Sequence, residues 1–123
     1  MRVSATGLAA ERLRMDVISS NIANVNSQGT AASPPYQRQI VDLEGDENGV
    51  RVQSVRPDNR AFVVKNEPDN PNADAQGNVY YSNIEPIEEM VNMLSASRAY
   101  EANIAAFNTA KGMMKNALDI GKA

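Results

Sequence analysis

A chain of 123 residues that is 42% apolar but only 5% aromatic suits one small domain with a thin core. It has no cysteine and no histidine, which removes disulfides, zinc thiolate sites, thiol nucleophiles and the usual general base and metal ligand. A net charge of −3 argues against wrapping nucleic acid, and no apolar run approaches the roughly 18 residues that would suggest a transmembrane segment.

The first element, residues 1–27, has helical spacing. Leu8, Met15 and Ile22 recur by sevens, Ile18 and Val25 take the intervening positions, and Glu11 is the one charge on that line. Val3, Leu13 and Val17 add apolar surface on another flank. Glu11, Arg12, Arg14 and Asp16 interrupt the hydrophobic stretch that a signal peptide would require. The segment Ser19-Ser20-Asn21-Ile22-Ala23-Asn24-Val25-Asn26-Ser27 is rich in side chains that compete with a helix backbone. Composition alone leaves two readings open. One is a frayed helix end that stops at Asn26 or Gly29. The other is that the amides of Asn21, Asn24 and Asn26 hydrogen-bond to neighbouring chains in a packed assembly and fix its register.

Residues 28–85 differ in kind. Gly29, Pro34 and Pro35 break the helix, and the alternation in Tyr36 to Leu43 and Val50 to Val55 predicts two short strands joined by an Asn48-Gly49 turn. Ala61 to Lys65 and Val79 to Tyr81 are two further strand candidates around a loop from Asn66 to Asn78. Asp42, Glu44, Asp46 and Glu47 form an acidic cluster, but an EF-hand counted from Asp42 puts Glu47 where glycine is needed and Gln53 where glutamate is needed. A count from Asn70 fails in the same way, at Ala75 and Tyr81. Both stretches read as solvated turns. With no phosphate loop, nucleophile elbow or metal-spaced acid pair, neither an enzyme nor a cofactor is expected.

Residues 86–123 read as one long helix. Pro86 suits the first helical position, with Asn83 or Glu85 as its cap and Glu88 and Glu89 in the first turn. Met90, Met93, Ser97, Tyr100, Ile104, Phe107, Lys111, Met114 and Leu118 follow in alternating steps of three and four, the seam period of a coiled coil. Ala99, Ala102, Ala106, Ala110, Met113, Ala117 and Ile120 make a second, smaller-sided line where another backbone could approach closely. The fold expected is therefore mainly α with a small β-rich insertion, its terminal helices pairing antiparallel as a coiled coil.

An antiparallel register in which paired numbers add to 122 sets Leu8 against Met114, Met15 against Phe107, Ile18 against Ile104, Ile22 against Tyr100, and Glu11 against Lys111. Each buried large apolar side chain contributes about 1.5–3 kcal/mol. Ordering each helical residue costs about 1–2 kcal/mol. The pair alone is expected to be marginal, so that folding depends on packing against other subunits.

The motif Ser20-Asn21-Ile22-Ala23-Asn24-Val25-Asn26 resembles the N-terminal signature of the rod and hook proteins of the bacterial flagellar basal body. Asn70-Pro71-Asn72-Ala73-Asp74-Ala75-Gln76-Gly77-Asn78-Val79, Glu88-Glu89-Met90-Val91-Asn92-Met93 and Ser95-Ala96-Ser97-Arg98-Ala99-Tyr100-Glu101-Ala102-Asn103 resemble the proximal-rod branch of that family. The resemblance runs nearly end to end. It implies a structural protein, exported by the flagellar apparatus without a cleaved signal, that assembles into a helical tube with copies of itself and other rod proteins. It also implies paired terminal helices in the tube wall with a small β-rich part further out, in the rod that crosses the periplasm. The chain departs from the family in three places. Relatives carry several residues ahead of the stretch matching Arg2 to Gly7, many have histidine where this chain has Asn70, and the middle segment here is brief. The reading from another class is a soluble coiled-coil adaptor or export chaperone, which would be helical when free and would not form tubes.

Overall fold

The computed structural model describes residues 2–122. Helix α1 (Arg2–Ala23) leads into strands β1 (Gln28–Gly29), β2 (Gln39–Asp46), β3 (Gly49–Pro57), β4 (Val63–Asn66) and β5 (Asn78–Tyr81), and the chain closes with α2 (Pro86–Lys122). α2 starts as its residues dictate. Pro86 lacks the N–H that would go unpaired there, and the Glu85 carbonyl accepts the first helical bond from Glu89 N–H at 3.1 Å. α1 stops in a defined turn at residues 24–26, not by fraying to Gly29. Asn24 donates its side-chain amide to Ser20 O at 2.8 Å, and its own carbonyl accepts from Ser27 N–H at 3.1 Å. At the far end α2 continues through Gly121.

The β-rich middle is two small antiparallel sheets. One has the order β1-β5-β4; the other is the β2-β3 hairpin. The hairpin turns at Glu47-Asn48, one residue earlier than expected, because Asp46 and Gly49 are already paired and the Asp46 carboxylate accepts Asn48 N–H at 2.8 Å. Gly49 has φ +119 and presses against Thr6 of α1, so the tip of the hairpin lies on the start of α1 with no room for a side chain. The acidic cluster is absorbed across the two strands. Asp42 pairs with Arg56 at 2.6 Å and Glu44 with Arg51 at 2.8 Å. Tyr36, Gln37 and Arg38 precede the ladder instead of starting it: Tyr36 N–H donates to Ser27 Oγ and Arg38 N–H to Asn83 Oδ1, while the Arg38 carbonyl accepts from Asp58 N–H at 2.7 Å.

The two helices pack antiparallel in a register other than the expected one. A methyl group on Gly7 would lie 2.5 Å from Asn103 Oδ1, and Asn21 hydrogen-bonds to Glu89, so opposed numbers add to 110. Small side chains decide this. Gly7, Ala10 and Ala96 are buried in the seam, which lets the backbones approach closely, whereas the larger Leu8, Met15 and Ile22 are left half-covered beside it. The inward line of α2 runs between the two expected ones, through Glu89, Met93, Ala96, Asn103, Phe107 and Ala110. Glu11 is buried but pairs with Arg14 at 3.2 Å, and Lys111 is exposed, so the expected Glu11–Lys111 opposition is not formed.

Candidate functional site

Two features stand out: a buried polar node where both helices meet the segments next to β2, β3 and β5, and apolar helix faces left exposed among the described residues. The node is centred on Glu89, whose side chain is fully buried in the first turn of α2. Arg38 donates Nε to Glu89 and Nη1 to Asp58 at 2.9 Å, with Glu88 3.5 Å from Nη2. Arg60 ties Asp58 to Glu88, at 2.9 and 3.0 Å. The buried Asn83 donates its amide to Asp58 O and Arg60 O and accepts from Arg38 N–H at 2.9 Å. It works here as a bracket and not as the helix cap. Asn21 Nδ2 donates to Gln39 O at 3.0 Å and to Glu89 at 3.4 Å, while Tyr36 O–H and Gln39 N–H both donate to its Oδ1 at 3.0 Å.

The charges in the node are mutually stabilised. For Arg38, burial acts to lower the pKa, but the hydrogen bonds to Glu89 and Asp58 outweigh it and raise the pKa further. Burial acts to raise that of Asp58; bonds from the Arg60 backbone and from the Arg38 and Arg60 side chains win and hold it below its ordinary value. Burial, and then the charge of Glu89, push the Tyr36 phenol up. Among the described residues no buried side-chain polar atom lacks a partner. The node therefore clamps α1, the segment ahead of β2, the end of β3 and α2 to one another.

The apolar faces are the complement of this polar centre. Buried apolar side chains among the described residues are few: Ala10, Ile18, Val79, Ile84 and Ala96. On α2, by contrast, Ile87, Met90, Val91, Leu94, Met113, Met114 and Leu118 are more than half exposed. Among the described residues no helix is long and apolar enough to cross a membrane, and no cluster of three or more acidic or histidine side chains could hold a metal ion.

Comparison with known proteins bears on both ends of the chain. The family model for the flagella basal body rod protein matches residues 1–29, and that for the flagellar basal body rod FlgEFG protein C-terminal region matches residues 75–120. Flagellar basal-body rod protein FlgC of Bacillus subtilis (strain 168) is 38% identical over 99% of this chain and 96% of its own length. The proteins of the same name from Borreliella burgdorferi and Salmonella typhimurium are 39% and 38% identical, each over 98% of this chain and 94% of their own. This chain belongs to the FlgC family of flagellar basal-body rod proteins. Its role is structural.

The matched segments of this FlgC-family chain contain α1, β1, β5 and all of α2 but its last two residues, so the β2-β3 hairpin and β4 lie between them. Of the candidate interface residues, Glu11, Ile18 and Asn21 are buried inside the subunit. Leu8, Met15, Ile22, Asn24, Val25, Met93, Tyr100 and Phe107 are half-buried. Asn26, Met90, Ile104, Lys111, Met114 and Leu118 are exposed. Asn21 needs no neighbour for its amide, because both ends of it are bonded within the subunit, and Asn24 bonds its own helix. Arg38, Asp58, Asn83 and Glu89 went unnoticed as a group in the sequence. Their only local signal is charged or amide residues beside strand and helix ends, which ordinarily means a solvated turn.

Proposed function

We propose that this FlgC-family chain builds the proximal part of the rod by polymerising through α1 and α2 with copies of itself and with other rod proteins. The flagellar export apparatus delivers it, without a cleaved signal, to the periplasmic section of the drive shaft. The observation that carries this is the exposure of apolar side chains along α2, with Met114 53% and Leu118 62% exposed on a helix of 37 residues. A monomer that works alone seldom leaves so much of one helix face bare, whereas a subunit that ends its folding in a lattice must. Membership of the FlgC family supports the same conclusion.

The test has two arms. Replacing Met114 and Leu118 with glutamate should leave the chain soluble and abolish swimming when it is the only rod protein of its type in the cell. Circular dichroism of the unaltered chain should show helicity rising as it self-associates. Normal swimming by the double variant would defeat the proposal. So would a fully helical monomer that never polymerises, which is the behaviour of a soluble adaptor or export chaperone.

A further inference from the structure

The lengths of the helices show which surfaces of neighbouring copies meet. α1 has 22 residues and α2 has 37. With Gly7 set against Asn103, α1 begins level with about residue 108 of α2, since each residue of either helix rises about 1.5 Å. The remainder of α2 projects past the start of α1, and residues 111–121 are exposed without a break. Met114 and Leu118 lie on this overhang. They continue, in steps of four, the line Asn103, Phe107, Ala110 that meets α1. The overhang is thus a coiled-coil seam whose second strand is missing.

A second bare stripe sits at the opposite end of the same helix and on its opposite flank. Ile87, Met90, Val91 and Leu94 recur in steps of three and four, turned away from the side occupied by Glu89, Ala96 and Asn103. The two stripes are separated by about 24 residues, or about 36 Å of helix. They cannot touch within one chain. They can meet between two copies that have the same orientation, the second displaced by that distance along the axis and by one helix spacing, about 8–10 Å, to the side. The first turns of its α2 then fill the place that α1 vacates.

Lys111 and Lys115 flank the overhang stripe near the negative end of the helix dipole, whereas Glu85 and Glu88 are paired with Arg60 within the subunit, so the match between the two stripes rests on their apolar side chains. Contact between two different patches on successive copies does not close on itself, so it generates an open-ended polymer.

We infer that Met114 and Leu118 of one copy pack against Met90 and Leu94 of a second copy, the two α2 helices running parallel with a stagger of about 24 residues. This rests on the reading of the chain as a rod subunit and specifies which face takes which partner.

The chain contains no cysteine, so introduced thiols report the contact without interference. The double variants Leu94→Cys with Leu118→Cys, and Met90→Cys with Met114→Cys, are oxidised at concentrations where sedimentation shows the chain self-associating. A ladder of covalent multimers is expected from the doubles and none from the single variants. A dimer from Leu118→Cys alone would mean a twofold contact of overhang with overhang and would overturn the inference. So would an associating double variant that gives no ladder, or an unaltered chain that stays monomeric because a different rod protein covers the overhang. A charge exchange covers the case in which thiols disturb the contact. Leu118→Lys alone should block association, and adding Leu94→Glu to the same chain should restore it; failure to restore overturns the stagger. Swimming supported by the unaltered chain judges the rod reading separately. Cells that swim while no ladder forms refute only the stagger, and cells whose rods exclude the chain refute the rod reading itself.

Discussion

Asn21 of α1 and Glu89 of α2 are joined side chain to side chain, 3.4 Å apart, in a place neither shares with solvent. That one bond sets the helix register at the buried end, and the Gly7–Asn103 contact sets it at the other. Everything between follows from a rigid α-helical rise.

The node should behave as a unit. Arg38→Ala leaves Glu89 buried without its cation and Asp58 with Arg60 alone, and should destabilise the subunit by about 3–5 kcal/mol. Glu89→Ala should cost a similar amount. Replacing both, with Arg38→Met and Glu89→Leu, should cost less than the two single changes together, because no uncompensated charge is left. Urea unfolding at one fixed protein concentration measures all three, and additive effects would show that the node is not coupled.

Acid should loosen the same place. Asp58 has its pKa held below the ordinary value in the folded chain, so its contribution is present above the unfolded-state pKa, about 3.9, and is lost as pH falls through the lower folded value. The unfolding midpoint should therefore drop on acidification below about pH 4. In Asp58→Asn that part of the drop should be missing. An identical acid profile for the variant would contradict the assignment.

Gly7 is small for a reason that can be tested. Its missing side chain makes room for Asn103, whose amide is held on Ala99 O at 2.9 Å. Gly7→Val should destabilise by about 1–3 kcal/mol through overpacking, although valine is the better helix former. Asn103→Ala in the same chain should recover much of the loss, as read from thermal melts. Recovery by a change at Lys115 in place of Asn103 would favour the register adding to 122.

The charges at Glu11 and Lys111 should be independent. Glu11→Lys places a second cation beside Arg14 in a buried position and should lower stability. Lys111→Glu should fail to restore it, since Lys111 stands in solvent beyond the start of α1. Thermal melts of the single and double variants decide this, and a rescue would reinstate that pairing within the subunit.

Much of the architecture was legible in the chain because it depends on local signals. Pro86 with Glu88 and Glu89, the sevenfold recurrence of Leu8, Met15 and Ile22, and the alternation around Gly49 each report their own element. The register was not legible, because large apolar side chains were matched to one another while the contact is made by Gly7, Ala10 and Ala96. A seam chosen for close approach places its bulky residues at the margins, where they stay free for neighbours. The node was missed for a different reason. Arg38, Asp58 and Glu89 are far apart in sequence, and each looks like an ordinary surface charge until the fold brings them together. Asn21, expected to reach a neighbouring chain, bonds both ends of its amide inside the subunit.

Amide hydrogen exchange of α2, compared between the dilute subunit and its polymer, tests the claim that this helix is finished only by its neighbours. Residues 89–107 should be protected in both states by α1 and the node, while 109–121 should exchange fast in the dilute subunit and slow strongly on assembly. Slow exchange of 109–121 in the isolated subunit, or equally fast exchange in both states, would contradict the account.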